Sequence, residues 1–266
     1  MKNKFSITGT RSAFQFDSTR SCAVSSGARG SAPQAAAAAA FTLVELLIVI
    51  ATIGILAAFL IPVFGSVSRH AVIQRAQSER EQIETAIQNY YSYYGFYPPG
   101  NAAASAQFLP AALTNQLYYE LEGTTPNVSG SNTNYTTLDS ASSVLAPTVK
   151  TAFGVSSFMN YTRGNTEDSK PAKDFLQGLP AARMATLTVG ANSANLLVTA
   201  ANSDDSYQPL PGVKTAIGRN ANPWRYLCPG INNPQSYDLW VQIFIGGKTN
   251  LICNWKPDQQ INSPLP

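Results

Sequence analysis

FTLVELLIVIATIGILAAFLIPVF, residues 41–64, is the stretch whose reading decides the fold. Its 24 residues form a helix that reaches roughly 36 Å at about 1.5 Å per residue, enough to cross a bilayer core with some tilt. Gly54 and Pro62 weaken such a helix locally without ending it, because membrane helices tolerate both. Glu45 is the one acid within it. A carboxylate in hydrocarbon is costly, so its presence predicts a task or a partner. The plainer alternative is a side chain that snorkels to the interface.

Upstream, residues 1–40 hold Lys2, Lys4, Arg11, Arg20 and Arg29 against Asp17 alone, and end in an alanine run, Ala35–Ala40. They carry no core pattern and read as a leader peptide. A secretory signal has a shorter apolar core with its small-residue cleavage site behind it. Here the alanines come first, so cleavage is expected before the span. Basic residues on that side keep it in the cytoplasm and send the downstream chain across the membrane. The formal charge of +3 resides in this leader, and the rest of the chain is nearly neutral. The charge balance therefore gives no ground for a nucleic-acid partner. A length of 266 residues suits one medium domain plus an anchor.

The helix is predicted to continue into water over residues 65–95. Ile73, Ala76, Arg80, Ile83, Ile87, Tyr90 and Tyr94 recur at spacings of three and four, which is one helix face. Gln74, Arg75, Gln77, Glu79, Glu81, Glu84 and Gln88 form its wet side. Gly95 supplies a stop and Pro98-Pro99-Gly100 forbids continuation, so the helix runs from about 42 to 94. The outer half needs a cover for its Ile/Tyr stripe.

Residues 96–220 are a variable segment rich in Asn, Ser, Thr, Ala and Gly. Leu109–Leu121 reads as a short helix. Leu187–Val189 and Leu196–Thr199 read as short strands about a Gly-Ala-Asn-Ser turn. The remainder reads as long loops. Residues 221–256 change character: Trp224–Cys228, Tyr237–Ile245 and Asn250–Trp255 are aromatic and β-branched runs separated by turn residues. They predict a meander of three antiparallel strands, the natural cover for the stripe. Residues 257–266 read as a frayed tail. Cys228 and Cys253, 25 positions apart, are a candidate disulfide if the body is exported, worth roughly 3 kcal/mol in the loop-entropy model. The alternative is a pair of buried thiols on strands. With a single His and no metal-ligand spacing, neither a metal nor a cofactor is expected.

Phe41-Thr42-Leu43-Val44-Glu45-Leu46-Leu47-Ile48-Val49-Ile50 resembles the N-terminus of the type IV pilin and type II secretion pseudopilin family. Ala86–Pro98 (AIQNYYSYYGFYP) is similar to the end of that family's long helix. Pro223-Trp224-Arg225-Tyr226, Pro229-Gly230 and Ser236–Trp240 resemble the C-terminal sheet of its major, G-type pseudopilin. The resemblance implies an α+β pilin fold: a long N-terminal helix packed on a small C-terminal antiparallel sheet. It implies that a prepilin peptidase cuts between Ala40 and Phe41 and methylates the new amine of Phe41. It implies a single pass of the bacterial inner membrane with a periplasmic C-terminal domain. It further implies a self-assembled helical filament, with minor pseudopilins and an inner-membrane assembly platform as partners. Glu45 would then meet the amine of its own Phe41 or a neighbour's and set the filament's register, since an opposite pair in low dielectric is tolerable where a lone charge is not. Partial unwinding between Gly54 and Pro62 on assembly is a further implication.

Two departures stand out. Ala40 occupies the place usually held by Gly. The major pseudopilin's calcium-binding loop is acidic, whereas only Asp258 follows Asp238 here, and calcium takes six to eight oxygens. The resemblance thus implies a structural subunit of a periplasmic pseudopilus for type II secretion, not an enzyme. A type IV pilin or minor pilin in adhesion, motility or DNA uptake is the near alternative. A membrane-anchored ligand-binding domain is the distant one. Gly246-Gly247-Lys248-Thr249 reads as a turn rather than a phosphate loop, because a strand follows it.

Overall fold

The structure is a computed structural model. It describes residues 41–104, 109–130, 132–164 and 170–263, with the side chains of 59–66 excepted. The leader 1–40, with Ala40, lies outside the described residues. The described residues up to Ile53 belong to one compact unit and those from Gly54 onward to a second.

Helix α1 spans Leu43–Tyr94, within one residue of the expected bounds. It ends where Gly95 turns left-handed at φ 86° and donates its N–H to Tyr91 O at 2.7 Å. Glycine is used there because a Cβ disfavours that backbone region. The helix runs through Gly54 and Pro62. Among the described residues no helix is long and apolar enough to cross a membrane. The span expected over 41–64 continues into residues 59–66, whose side chains are not described.

The rest of the chain is α+β with antiparallel sheets. A 3-10 turn at Leu109–Leu113 and helix α2 (Leu117–Glu122) replace the single helix expected over 109–121. Strands β1 (Thr124–Ser129), β2 (Asn132–Thr137) and β3 (Ser143–Leu145) form an antiparallel sheet in that order, followed by α3 (Ala146–Phe153). Pro126 is tolerated because β1 is an edge strand. Strands β4 (Met184–Val189) and β5 (Asn192–Leu197) pair as a hairpin turning at Gly190-Ala191. The segment expected to be mostly loop thus holds more paired strands and short helices than expected, while no named helix or strand lies among the described residues between Phe153 and Ala181 or between Leu197 and Arg225.

The C-terminal sheet has the order β6 (Arg225–Leu227), β7 (Asp238–Ile245), β8 (Lys248–Cys253), β9 (Gln260–Ile261). The three expected strands are present. The tail differs from its expected frayed state: β9 pairs Gln260 with Leu251 and Ile261 with Asn250. Those pairs satisfy the outer backbone groups of β8, which would otherwise be an open edge. The β7–β8 hairpin turns on Gly246 and Gly247, both at positive φ, the geometry of a two-residue turn.

The helix stripe is the spine of the core. Ile73, Ala76, Ile83, Ile87 and Tyr90 are buried in one cluster with Trp224, Tyr226, Leu239, Val241 and Ile243 of the C-terminal region. The same cluster takes Leu117, Tyr119, Phe153, Phe158 and Leu196 from the middle segment. The cover for the stripe is therefore shared between the expected sheet and residues 96–220. Each fully buried Ile contributes about 1.5–3 kcal/mol.

Candidate functional site

The candidate assembly site opens at the start of α1, where the first amides have no partner within the helix. Thr42 Oγ1 accepts the Glu45 N–H at 3.2 Å. In return Glu45 Oε2 accepts the Thr42 N–H at 2.9 Å and the Thr42 hydroxyl at 2.8 Å. This is a reciprocal capping box, in which a threonine and a glutamate three residues on satisfy each other's backbone. Glu45 is thereby oriented by its own chain, and its negative charge sits at the positive end of the helix dipole. The Thr-x-x-Glu signal preceding an apolar run is legible in the sequence, but the cost of the acid points to Glu45 alone and passes over Thr42.

Around this box the helix is apolar on all sides. Phe41, Leu43, Val44, Leu46, Leu47, Ile48 and Ile50 are exposed, Phe41 at 79%. Gly54 has open space where a Cβ would stand. Pro62 belongs to α1, but its side chain is outside the described residues, so no contact is assigned to it.

Further along, polar ties fix the domain to the helix. Glu79, expected on the wet side, is buried at 5% exposure. Its carboxylate accepts the Thr199 hydroxyl at 2.7 Å and the Ala200 N–H at 3.1 Å, and pairs with Arg75 at 3.4 Å. A helical period cannot reveal an acid that finds donors on a distant loop. Arg80 donates to Cys253 O at 2.8 Å and pairs with Glu84 at 3.1 Å. Tyr90 and Tyr94, expected to pack as part of the stripe, join the buried cluster and in addition donate to Glu120 at 3.1 Å and to Asn160 Oδ1 at 2.8 Å.

Glu120 is the hub of that last group. It is fully buried and accepts the Met159 and Asn160 N–H groups at 2.9 and 3.0 Å. Burial raises its pKa to about 7, while these donors pull the other way. Neighbouring Glu122 is raised to about 8, by burial first and then by Asp174 and Asp139.

Cys228 and Cys253 are unbonded, which corrects the expected disulfide. Cys253 pairs across β8 with Trp240 of β7, whereas Cys228 follows β6 on the other side of β7, beyond the Leu227–Asp238 pair. Two strand spacings of about 4.8 Å and an offset along β7 separate them, beyond the roughly 7 Å that a disulfide spans. Burial raises both thiol pKa values. The loop before β7 is held by Asp238 instead. Its carboxylate accepts the N–H groups of Ile231, Asn232 and Asn233 at 2.8, 2.8 and 3.0 Å, and the Asn232 amide at 3.0 Å. Among the described residues no three His, Cys, Asp or Glu are grouped to hold a metal.

Comparison with known proteins gives relatives over part of the chain. It is 34% identical over 82 residues to a type IV major pilin protein PilE1 of Neisseria gonorrhoeae, covering 31% of this chain and 50% of that one. It is 39% identical over 64 residues to a fimbrial protein of Neisseria meningitidis serogroup A, covering 24% and 38%. It is 42% identical over 64 residues to the fimbrial protein EcpC of Eikenella corrodens, covering 24% and 42%. The chain spans about half the length of these relatives, or less. No family model and no solved structure matches it. The similarities support the type IV pilin family and do not single out its pseudopilin member. The α+β architecture is consistent with a pilin-like fold.

Proposed function

We propose that the chain is a structural, non-catalytic subunit of a type IV pilus-type filament. The observation that carries this reading is the capping box of Thr42 and Glu45 at the head of a helix whose apolar side chains are bare on every face. A helix of that kind is stable only in apolar surroundings, lipid first and neighbouring helices afterwards. A prepilin peptidase cuts between Ala40 and Phe41 in this reading, and the methylated amine of Phe41 becomes the cationic partner of Glu45. The apolar faces supply adhesion without direction; the ion pair supplies register. The subunit first waits in the inner membrane with its C-terminal domain outside the cytoplasm. On assembly the helix loosens between Gly54 and Pro62. Its partners are further copies of itself, the peptidase, minor subunits and an assembly platform.

A second reading, a pseudopilus subunit serving type II secretion, rests on the likeness of Pro223–Trp240 to the G-type C-terminal sheet. Deleting the gene in its host separates the two: a pilin loss removes surface filaments, a pseudopilin loss leaves secreted proteins inside. Mass spectrometry of the membrane-extracted protein tests the reading common to both. A chain beginning with N-methyl-Phe41 supports it; one that retains residues 1–40 ends it, because the positive partner of Glu45 then never forms.

A further inference from the structure

Within the second unit, α1 and β7 run in opposite directions. Arg80 reaches the Cys253 carbonyl, level with Trp240, whereas Arg69 lies against Gly246, just past the other end of β7. The second contact is close: a Cβ on Gly246 would stand 2.9 Å from the Arg69 Cζ. Gly246 is also held by Asp204, whose Oδ2 accepts its N–H at 3.0 Å. The β7–β8 turn is thereby fixed at the end of the domain where α1 leads back toward residue 64.

Arg69 follows Phe64 by five residues, about 7.5 Å along a helix axis. A bilayer with roughly 30 Å of hydrocarbon and 40–45 Å in all leaves about 5–7 Å on each side for headgroups. With residues 41–64 in the hydrocarbon, Arg69 and the turn it touches stand at headgroup level. Arg69 and Lys248 are both exposed there. Among the described residues neither makes an ion pair, not even with Asp204 or Asp205 of the adjoining loop. Val67 is 58% exposed beside Arg69. Ile261, 55% exposed, is set two residues from Lys248 by its pairing with Asn250. Free cationic heads among bare aliphatic side chains suit the boundary between lipid phosphates and acyl chains.

We propose that this end of the domain seats on anionic phospholipid, with Arg69 and Lys248 holding headgroup phosphates beside the Gly246-Gly247 turn. A guanidinium takes a phosphate through two parallel bonds, and an ammonium takes it as a point charge. The inference rests on the membrane reading of residues 41–64 and adds a lipid preference to it. The seat orients the waiting subunit on the bilayer. Lifting the subunit into a filament breaks the seat, so the anionic lipid content sets part of the barrier to extraction.

The test is thermal unfolding of the full chain in two kinds of vesicle, phosphatidylcholine alone and with about 30% phosphatidylglycerol, an anionic surface. The anionic vesicles are expected to raise Tm by about 3 °C or more, since a contact made only by the folded domain stabilises it. High salt should remove the rise by screening. The double variant Arg69→Gln/Lys248→Gln should remove it too, while unfolding in phosphatidylcholine as the unaltered chain does. Lys150→Gln is the control for net charge; it lies on α3, whose capping Gly154 meets Ala102, beyond the other end of α1. Its rise should be retained. Inorganic phosphate added to the phosphatidylcholine vesicles should give none. A chain that carbonate leaves in both vesicles, yet that unfolds alike in them, overturns this proposal alone. So does a rise that survives the double variant, falls equally with Lys150→Gln, or is matched by inorganic phosphate. A chain that carbonate strips from both overturns the membrane reading and this proposal with it.

Discussion

Helix α1 carries apolar side chains along most of its length, yet its two ends treat them oppositely. From Phe41 to Leu56 the large apolar residues are all exposed, whereas Ile73, Ile83, Ile87 and Tyr90 are buried to 5% or less. The difference lies in period. The first stretch is apolar on every face, so no single partner can cover it. The second confines its apolar residues to one stripe, which one folded domain covers completely. One secondary structure thus hosts two kinds of stability: one belonging to the fold, the other to the surroundings.

The largest expected effect breaks the comparison at its upper end. Glu45→Ala should abolish filament assembly, scored by electron microscopy, while the thermal unfolding of the C-terminal domain is unchanged. Filaments of normal abundance from that variant would remove Glu45 from the assembly role. Ile87→Ala, at the other end, should destabilise the domain by about 2–5 kcal/mol in denaturant titrations, because it opens a cavity in the core. Leu47→Ala removes a comparable side chain from the bare stretch and should change domain stability by less than about 0.5 kcal/mol. An equal loss from Leu47→Ala and Ile87→Ala would erase the distinction between the two ends.

Glu120→Ala should cost about 3 kcal/mol, since it strands the Met159 and Asn160 N–H groups and the Tyr90 hydroxyl. Glu120→Gln keeps an acceptor and should cost less. A further expected effect is that of pH. Glu120 and Glu122 have folded pKa values near 7 and 8 against an ordinary 4.5. The folded state therefore holds these protons more tightly than the unfolded one. The stability they contribute is complete below about pH 4.5 and is lost as pH rises through 7 and 8. Glu122→Gln should flatten the fall in melting temperature between pH 6 and 8.5.

Much of this fold is legible because it is periodic. The alternating spacing from Ile73 to Tyr94 yields the helix and its buried face, and Gly95 marks its end. The aromatic runs from Trp224 to Trp255 yield three strands of the C-terminal sheet. The parts that cannot be read have physical reasons. Strands β1 and β2, TTPNVS and NTNYTT, are polar in sequence; β1 is mostly exposed, and β2 buries only Tyr135 and Thr137, so there is no apolar alternation to detect. Glu79 and Glu120 are buried because donors arrive from loops far along the chain, and spacing carries no trace of that. Cys228 and Cys253 look bridgeable by their separation in sequence, but the strand between them keeps them apart. Of the candidate site, Glu45 stands out by its cost in an apolar run, whereas Thr42, an ordinary polar residue beside it, is overshadowed by its own partner.

The bond from Arg80 to the Cys253 carbonyl joins residues 173 positions apart. A ribosome delivers the helix long before it delivers the strands that shelter it. Until about residue 253 has emerged, the Ile/Tyr stripe lacks the part of its cover that the C-terminal sheet supplies, and contacts of such long range close slowly. The nascent polypeptide must be kept from sticking to others throughout that interval. A truncation of even the last two strands should therefore be punished by quality-control proteases rather than yield a smaller working subunit.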